Sequence, residues 1–573
     1  MAMTYVDVAP PGARRDRRRK HGRESARSAS RLLERSRHAG PRKSPWPWAP
    51  NTSTLVLDRP TQDRRKTTSP SYGRGISPSL EILLVVGVLV VGAALRLLWL
   101  NTVGFNSDEA VYAGQAASIA GHQDLQPFFP IFRAHPLLFQ TFLSLFYLHG
   151  VSDLVGRLVA VAIGVVTIFV VYRVGRLLYG VPVGLVAGLI FAVMPYPVVV
   201  SRQVLLDGTL TLFATLTLLL LAKYATTRQP AWFVVTGAAL GLTFLSKEVG
   251  ILFVAAVFAF LALTPRIGTR TRDVLLALLA FVLVALPYPL SLVFAKSSST
   301  GQSFLAWQLF RRPNHDALFY FSVVPPALGL LVLLIAAVGL WVLRRQGSWR
   351  ETLLLAWILV PLLFLELWTV KGFQYLLPIA APVAVLAARG AVLGPRQMNS
   401  LKVSSQRVLA TVLVIVLVAS AGFVSWTRIQ PSTTGTFMAG SGGVPGGRQA
   451  GEWVAANVPQ GAELLAIGPS MANIIQWYGQ RKTYGISVSP NPLNRNPTYE
   501  PVVNPDLEIR RNQIQYLVWD SYSASRSPFF SKRLTDYAER YHGRAVFTAT
   551  VPVTSPSGER TEAPVIIIYE VRP

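Results

Sequence analysis

The sequence predicts a polytopic α-helical membrane protein of about 11 spans with an α/β domain at its C-terminal end. Three observations predict it. Charged residues make up 14% of the 573 and hydrophobic residues 51%, whereas about a quarter of a soluble domain is charged. Eleven apolar stretches approach the length that crosses a hydrocarbon core as a helix. The chain after residue 426 loses that character and alternates short apolar runs with amphipathic ones. Cysteine is absent. This excludes a disulfide framework, a thiolate metal site and a cysteine nucleophile.

Residues 1–80 come first. They hold 18 Lys and Arg against 6 Asp and Glu, so +12 of the net +27 sits there. The runs RRDRRRKHGRESARSASRLLERSRHAGPRK, PWPWAP and TQDRRKTTSPSYGRG show no apolar periodicity. Their composition predicts a disordered tail. The charged stretch is too long for a secretory signal, and no small-residue cleavage pattern follows the first apolar run. A basic tail beside a membrane helix binds anionic headgroups and marks the cytoplasmic face. Nucleic acid would need a folded motif that the tail lacks, so the expected partner is the lipid bilayer and not nucleic acid.

The expected spans are 81–100, 154–174, 181–200, 204–222, 231–246, 249–264, 274–295, 321–343, 352–369, 374–390 and 407–426. A twelfth apolar piece, 136–150, is short and suits a helix lying in the interface. With the N-terminus inside, the inner loops are 173–180, 223–230, 264–273, 343–351 and 388–407, each rich in Arg or Lys. Promoting 136–150 to a span would move those loops outside. The positive-inside rule therefore selects 11 spans, a transmembrane domain over 81–426 and an external first loop over 101–153.

This topology gathers unusual polar residues at the external side. Asp108 and Glu109 follow the first span, with Arg133 and His135 later in the same loop. Arg157 opens the second span. Arg202 and Asp207 stand in SRQVLLDG, Lys247 and Glu248 in LSKEVG, and Arg311, Arg312, His315 and Asp316 in FRRPNHDALFY. Lys371, Gln374 and Tyr375 come from KGFQYLLP. Ionisable groups at span ends are costly unless they pair or work. Each also has a plain alternative. Asp108 can be a loop carboxylate and Glu109 a structural partner. Arg157 can pair with Asp153 or Asp207, and Lys247-Glu248 can cap a turn. His315 can be a simple loop histidine and Lys371 a snorkelling lysine. Trp99, Trp307, Tyr320 and Trp368 suit an interfacial aromatic belt.

The order DEAVYAGQAASIAG, HPLL, GRLVAVAIGVVTIFVVYRVGRLLYG, SRQVLLDGTLTLF, LTFLSKE, HDALFYF and KGFQYLLPIAAP resembles a known family. It is similar to the GT-C-type integral-membrane glycosyltransferases that use polyprenyl-phosphate sugars. These include protein O-mannosyltransferases, aminoarabinose transferases and Rgt-like and YkcB-like enzymes. The resemblance covers residues 80–425. It implies transfer of a sugar from a polyprenyl-phosphate donor to a lipid, cell-wall glycan or protein acceptor at the outer face of the plasma membrane. It implies that Asp108 is the catalytic base with Glu109 its neighbour, and that Arg157 organises the site. The family's Lys-x-x-Arg-Tyr-x-x-Pro element is matched by Lys371, Tyr375 and Pro378, but Gln374 stands where the family has Arg. Some relatives carry Glu or Pro at the positions of Ala134 and His135. Alanine cannot ligate, so dependence on a divalent metal ion stays open, with His135 and His315 as metal or phosphate contacts. No other cofactor is implied.

The residues suit this chemistry. An acceptor hydroxyl attacking an anomeric carbon needs a base, and a carboxylate serves. Carboxylates also stabilise the positive character of the sugar ring. The departing phosphate needs cations, for which Arg202, Lys247, Arg311, Arg312 and Lys371 are candidates. Arg157, Asp207, Glu248, Gln374 and Tyr375 complete the substrate-binding set. A single displacement inverts the anomeric centre.

Residues 427–447 form a Gly/Ser/Thr/Pro-rich linker, and 448–573 an external α/β domain with a partly parallel sheet and a closing hairpin. The run SGGVPGG lacks the features of a phosphate-binding loop, and His542 is the one histidine there, which argues against a zinc site. Two other classes remain at this level. One is a lipid or polysaccharide transporter, and the other a membrane-anchored binding or assembly protein.

Overall fold

A computed structural model describes residues 76–573 except 132–133, 295–297, 312, 314, 399, 432–443 and 555–559. The basic tail therefore lies outside the described residues, as do Arg133 and Arg312 and most of the 427–447 linker.

Mostly apolar helices fill residues 78–429. Five are single helices long and apolar enough to cross a membrane: Pro78–Leu97, Asp153–Tyr179, Leu206–Thr227, Phe373–Gln397 and Val403–Ile429. Two more are bent pairs. Thr271–Ala285 and Pro287–Phe294 meet at 43°, and Phe319–Leu328 and Leu330–Val342 at 95°. The sharper bend falls at Gly329, whose φ of 90° is open to glycine and strained for other residues. Val181–Val193, Pro230–Ser246 and Glu248–Leu263 are shorter apolar helices. The chain is a multi-pass membrane protein.

The surface of this bundle explains its solvent. Ile82, Leu83 and Val90 of Pro78–Leu97 and Val408, Ile415 and Phe423 of Val403–Ile429 are exposed. An apolar face of that length belongs against hydrocarbon, not water. Phe373–Gln397 is instead enclosed on nearly all sides and forms the bundle's centre. There Gly339 and Gly390 let two helices touch backbone to backbone. Leu138–Tyr147 has 10 residues, about 15 Å of helix, half a hydrocarbon core. It buries Phe139, Leu143 and Tyr147 and exposes Phe142, Leu145 and Phe146.

The two ends of the bundle are polar in different ways. One end carries the Arg-rich loops, where Glu81 pairs with Arg176 at 2.6 Å and Glu351 with Arg389 at 3.0 Å. The other end carries the acidic helix Ser107–Ala120. Asn106 caps that helix and Glu109 completes a capping box, while Gly121 in the left-handed region ends it. Ala110, Ala113, Ala116 and Ala117 form its buried stripe. At Gly114 any Cβ would strike the Phe129 ring.

Beyond the last span the chain builds a five-stranded sheet. Its strands are β1 (Glu463–Ala466), β2 (Thr483–Gly485), β3 (Ile514–Asp520), β4 (Arg544–Thr554) and β5 (Arg560–Glu570), in the order β2-β1-β3-β5-β4. β1 runs parallel to β2 and β3, and β5 pairs antiparallel with β3 and β4. Alternate residues of β1 enter opposite cores. Leu464 and Ala466 pack with helices Gly447–Asn457 and Pro469–Gly479. Leu465, and Ile467 just past the strand, pack with Ile509 and Leu534. Burial on both faces makes β1 a short continuous apolar run.

Candidate active site

Glu109 and Arg157 are spent on each other. Arg157 donates Nε to Oε1 at 2.9 Å and Nη2 to Oε2 at 2.8 Å. Its remaining donors bind the carbonyls of Leu100, Val103 and Gly104. Glu109 further accepts the Val204 and Asn106 amides. Both side chains are buried. A bidentate pair saturated by backbone groups is a structural clasp between the first loop and the second span.

Asp108 projects from the same turn into a different environment. Among the described residues no hydrogen bond or ion pair engages its carboxylate, and part of its surface stays open. The charges of Lys247, Asp207, His135 and Glu109 all act on it. Burial pushes its carboxyl above the ordinary range, more than the attraction of Lys247 and His135 lowers it.

Around Asp108 the other ionic groups form pairs. Lys247 donates to Asp207 at 2.9 and 3.1 Å, and its ammonium lies 4.9 Å from the centroid of the Tyr375 ring. His135 and Glu248 meet at 2.7 Å. Tyr112, on the acidic helix, feels Asp108, Asp207, Glu248 and Tyr375 together. Tyr375 in turn feels Lys247, Glu248 and Arg311 and lies beside Gln308. The structure thus brings together Asp108, His135, Asp207, Lys247, Glu248, Arg311 and Tyr375. Arg311 lies over Trp307 at 4.6 Å, and among the described residues its buried Nε has no hydrogen-bond partner.

The remaining expected residues lie apart or work elsewhere. Arg202 binds the carbonyls of Leu95 and Arg96, closing the end of the first span. Lys371 binds the carbonyls of Ala317 and Glu366 and pairs with Glu366 at 3.5 Å. Gln374 is part-buried in the turn leading to Tyr375. His315 stacks on Phe319 at 4.0 Å, and burial, with Arg526 nearby, lowers its proton affinity. Among the described residues no three His, Asp or Glu side chains converge at metal-binding spacing. His135 and Glu248 bring two donors together.

Some participants carry no local sequence signal. Tyr112 and Gln308 read as ordinary helix residues. Tyr499 follows β2 by more than a dozen positions yet lies beside Asn473 and within the field of Asp108. Only the fold brings them to the site.

A family model described as dolichyl-phosphate-mannose-protein mannosyltransferase matches residues 134–290. The chain is 31% identical over 233 residues to an undecaprenyl phosphate-alpha-4-amino-4-deoxy-L-arabinose arabinosyl transferase of Sodalis glossinidius, covering 36% of this chain and 40% of that relative. It is 29% identical to the corresponding transferase 2 of Proteus mirabilis, covering 44% and 49%. The chain thus matches less than half the length of these relatives. Among solved structures, apo ArnT from Cupriavidus metallidurans aligns at a TM-score of 0.61 and 16% identity, covering 85% of this chain and 97% of that one. The Archaeoglobus fulgidus oligosaccharyltransferase aligns at 0.54 and 14% identity, covering 85% and 74%. The chain has a GT-C-type glycosyltransferase fold, in line with the resemblance drawn from its motifs.

Proposed function

We propose that this protein transfers a sugar from a polyprenyl-phosphate donor to an acceptor at the outer face of the plasma membrane, with Asp108 as general base. One observation carries the assignment of the base. In a cluster of paired ions, Asp108 is the carboxylate that no described side chain engages. A buried charge without a partner is costly, and sites retain that cost where the group must meet a substrate. The relatives named above use undecaprenyl phosphate-linked aminoarabinose, and one ArnT structure holds undecaprenyl phosphate. Both support the donor class.

Asp108 accepts the acceptor's hydroxyl proton as the oxygen attacks the anomeric carbon. The nearby carboxylates of Asp207 and Glu248 favour positive charge on the ring. Arg311, with its unpartnered Nε, and Lys247 face the growing negative charge on the phosphate. Glu109 and Arg157 keep the acidic helix against the second span. One in-line displacement inverts the anomeric centre, so a product of retained configuration rejects the mechanism. The acceptor is a lipid, a cell-wall glycan or a protein, and the C-terminal domain shares the external face with Asp108. The basic tail and the Arg-rich loops face the cytoplasm. Protease mapping that found residue 108 and the tail in one compartment would refute this orientation.

The decisive assay uses purified full-length protein, a labelled undecaprenyl-phosphate sugar and the Asp108→Asn variant. A transferase loses turnover by orders of magnitude while still binding donor. A transporter moves intact lipid, and a binding protein shows no turnover in either form.

A further inference from the structure

The mechanism so far uses no residue beyond the last span, yet the C-terminal domain binds the chain just before Asp108 and at the start of the next span. Helix Pro469–Gly479 presents Asn473, Trp477 and Tyr478 to the first loop. Asn473 Nδ2 donates to Ser107 Oγ at 2.9 Å, and both residues are buried. The Tyr478 hydroxyl accepts the Phe105 amide at 2.7 Å and donates to Asp153. Trp477 donates Nε1 to Asp153 at 3.0 Å and packs its ring 5.2 Å from Phe105. Arg448 pairs with Asp153 at 2.8 Å and binds Asn101. Asp153 opens the span that carries Arg157 one turn later.

The helix does not need Asn473 in order to form. Asn106 and Glu109 already cap its N-terminus. A hydrogen bond to the hydroxyl of the first helical residue adds no capping. It fixes where that turn sits. From the membrane side the turn is held by Arg157, Val204 and the contact of Asn106 with Gln203 at 2.9 Å. From the other side it is held by Asn473. Asp108 stands between these supports with its own carboxylate unengaged. Tyr499 lies beside Asn473 and within the field of Asp108.

We propose that the C-terminal domain is part of the catalytic unit, and that Asn473 is the positioning residue through which it sets Asp108. This deepens the function proposed above and rests on Asp108 being the base. Tyr499, in the loop 486–504, then brings a second residue of this domain near Asp108.

The test compares Asn473→Leu, Ser107→Ala and the control Gln480→Ala in full-length protein. Gln480 binds Asp124 at the exposed edge of the same junction. Two readouts are taken: hydrogen exchange of residues 107–120, and transfer from labelled undecaprenyl-phosphate pentose and hexose. Asn473→Leu is expected to speed exchange in 107–120 and to lower kcat roughly 10- to 100-fold, because small displacements of a reacting group cost that much. The KM for donor stays near wild type, and the acidic limb of the rate profile shifts. Ser107→Ala moves the same readouts in the same direction and decides the matter if Asn473→Leu does not fold. Gln480→Ala changes none of them. The inference is overturned if Asn473→Leu or Ser107→Ala keeps wild-type exchange and kcat while Asp108→Asn is inactive. If Asp108→Asn stays active, the base assignment fails instead. Exchange in 107–120 then decides whether Asn473 holds the helix.

Discussion

Asp108 and Glu109 are neighbours in one helical turn, and their surroundings are opposite. Glu109 faces the second span and meets a guanidinium and two backbone amides. Asp108 faces the cluster formed by Asp207, Lys247, His135 and Glu248, and no described side chain bonds it. The two sides of the turn thus separate support from chemistry. On the supporting side every polar group is satisfied, which locks the helix. On the other side one carboxylate is left for a reactant. The membrane bundle shows the same contrast on a larger scale. At its Arg-rich end Glu81 and Glu351 are directly paired.

The largest effect expected from this contrast is on turnover. Asp108→Asn should cut kcat by about 10²–10⁴-fold, as expected for a lost general base. The melting temperature in detergent should not fall, since the variant removes a desolvated charge with no partner. Equal activity of the variant and wild type would break the comparison. Glu109→Gln should do the reverse and act first on the fold. It strands Arg157 without its anion, and breaking a buried pair costs about 3–5 kcal/mol. A fall in melting temperature and in yield of folded protein is the readout.

The Lys247–Asp207 pair sharpens the point. Lys247→Met alone should destabilise more than the double variant Lys247→Met/Asp207→Asn, because the single change leaves a buried charge uncompensated. A thermal-unfolding double-mutant cycle measures the difference. A smaller effect concerns pH. Burial raises the Asp108 carboxyl above its ordinary value, so the folded state binds that proton more tightly than the unfolded chain. Acidification through the raised value should therefore remove activity and, in the same window, stabilise wild type relative to Asp108→Asn. Activity that persists down to the ordinary carboxylate range, near 4, would contradict the raised affinity. The smallest effect belongs to the opposite end. Arg176 is 44% exposed in its pair with Glu81, and Arg176→Ala should cost no more than about 1 kcal/mol.

Much of this architecture was legible in the chain. Apolar length marks spans because a bilayer leaves the backbone no partner but itself. The acidic pair was legible as a run in the external loop, and the structure adds the helix that Asn106 and Glu109 cap. The pairings are not local. Nothing in the sequence says that Glu109 takes Arg157 while Asp108 takes no partner, because adjacent residues point to different neighbours only once helices pack. Arg202 and Lys371 looked equivalent to Arg311, yet their donors go to backbone carbonyls, whereas Arg311 keeps a buried Nε unpartnered.

By itself the sequence determined what each segment could be. It marked the apolar stretches, the run that carries the acidic pair, and the change of composition after residue 426, because composition and periodicity act over a few residues. Only the tertiary structure decided which side of Ser107–Ala120 is clasped and which is free, and that Asn473, more than 350 residues away, bonds to Ser107. Hydrogen bonds and ion pairs depend on angstrom-scale contacts between distant segments, and packing alone sets those.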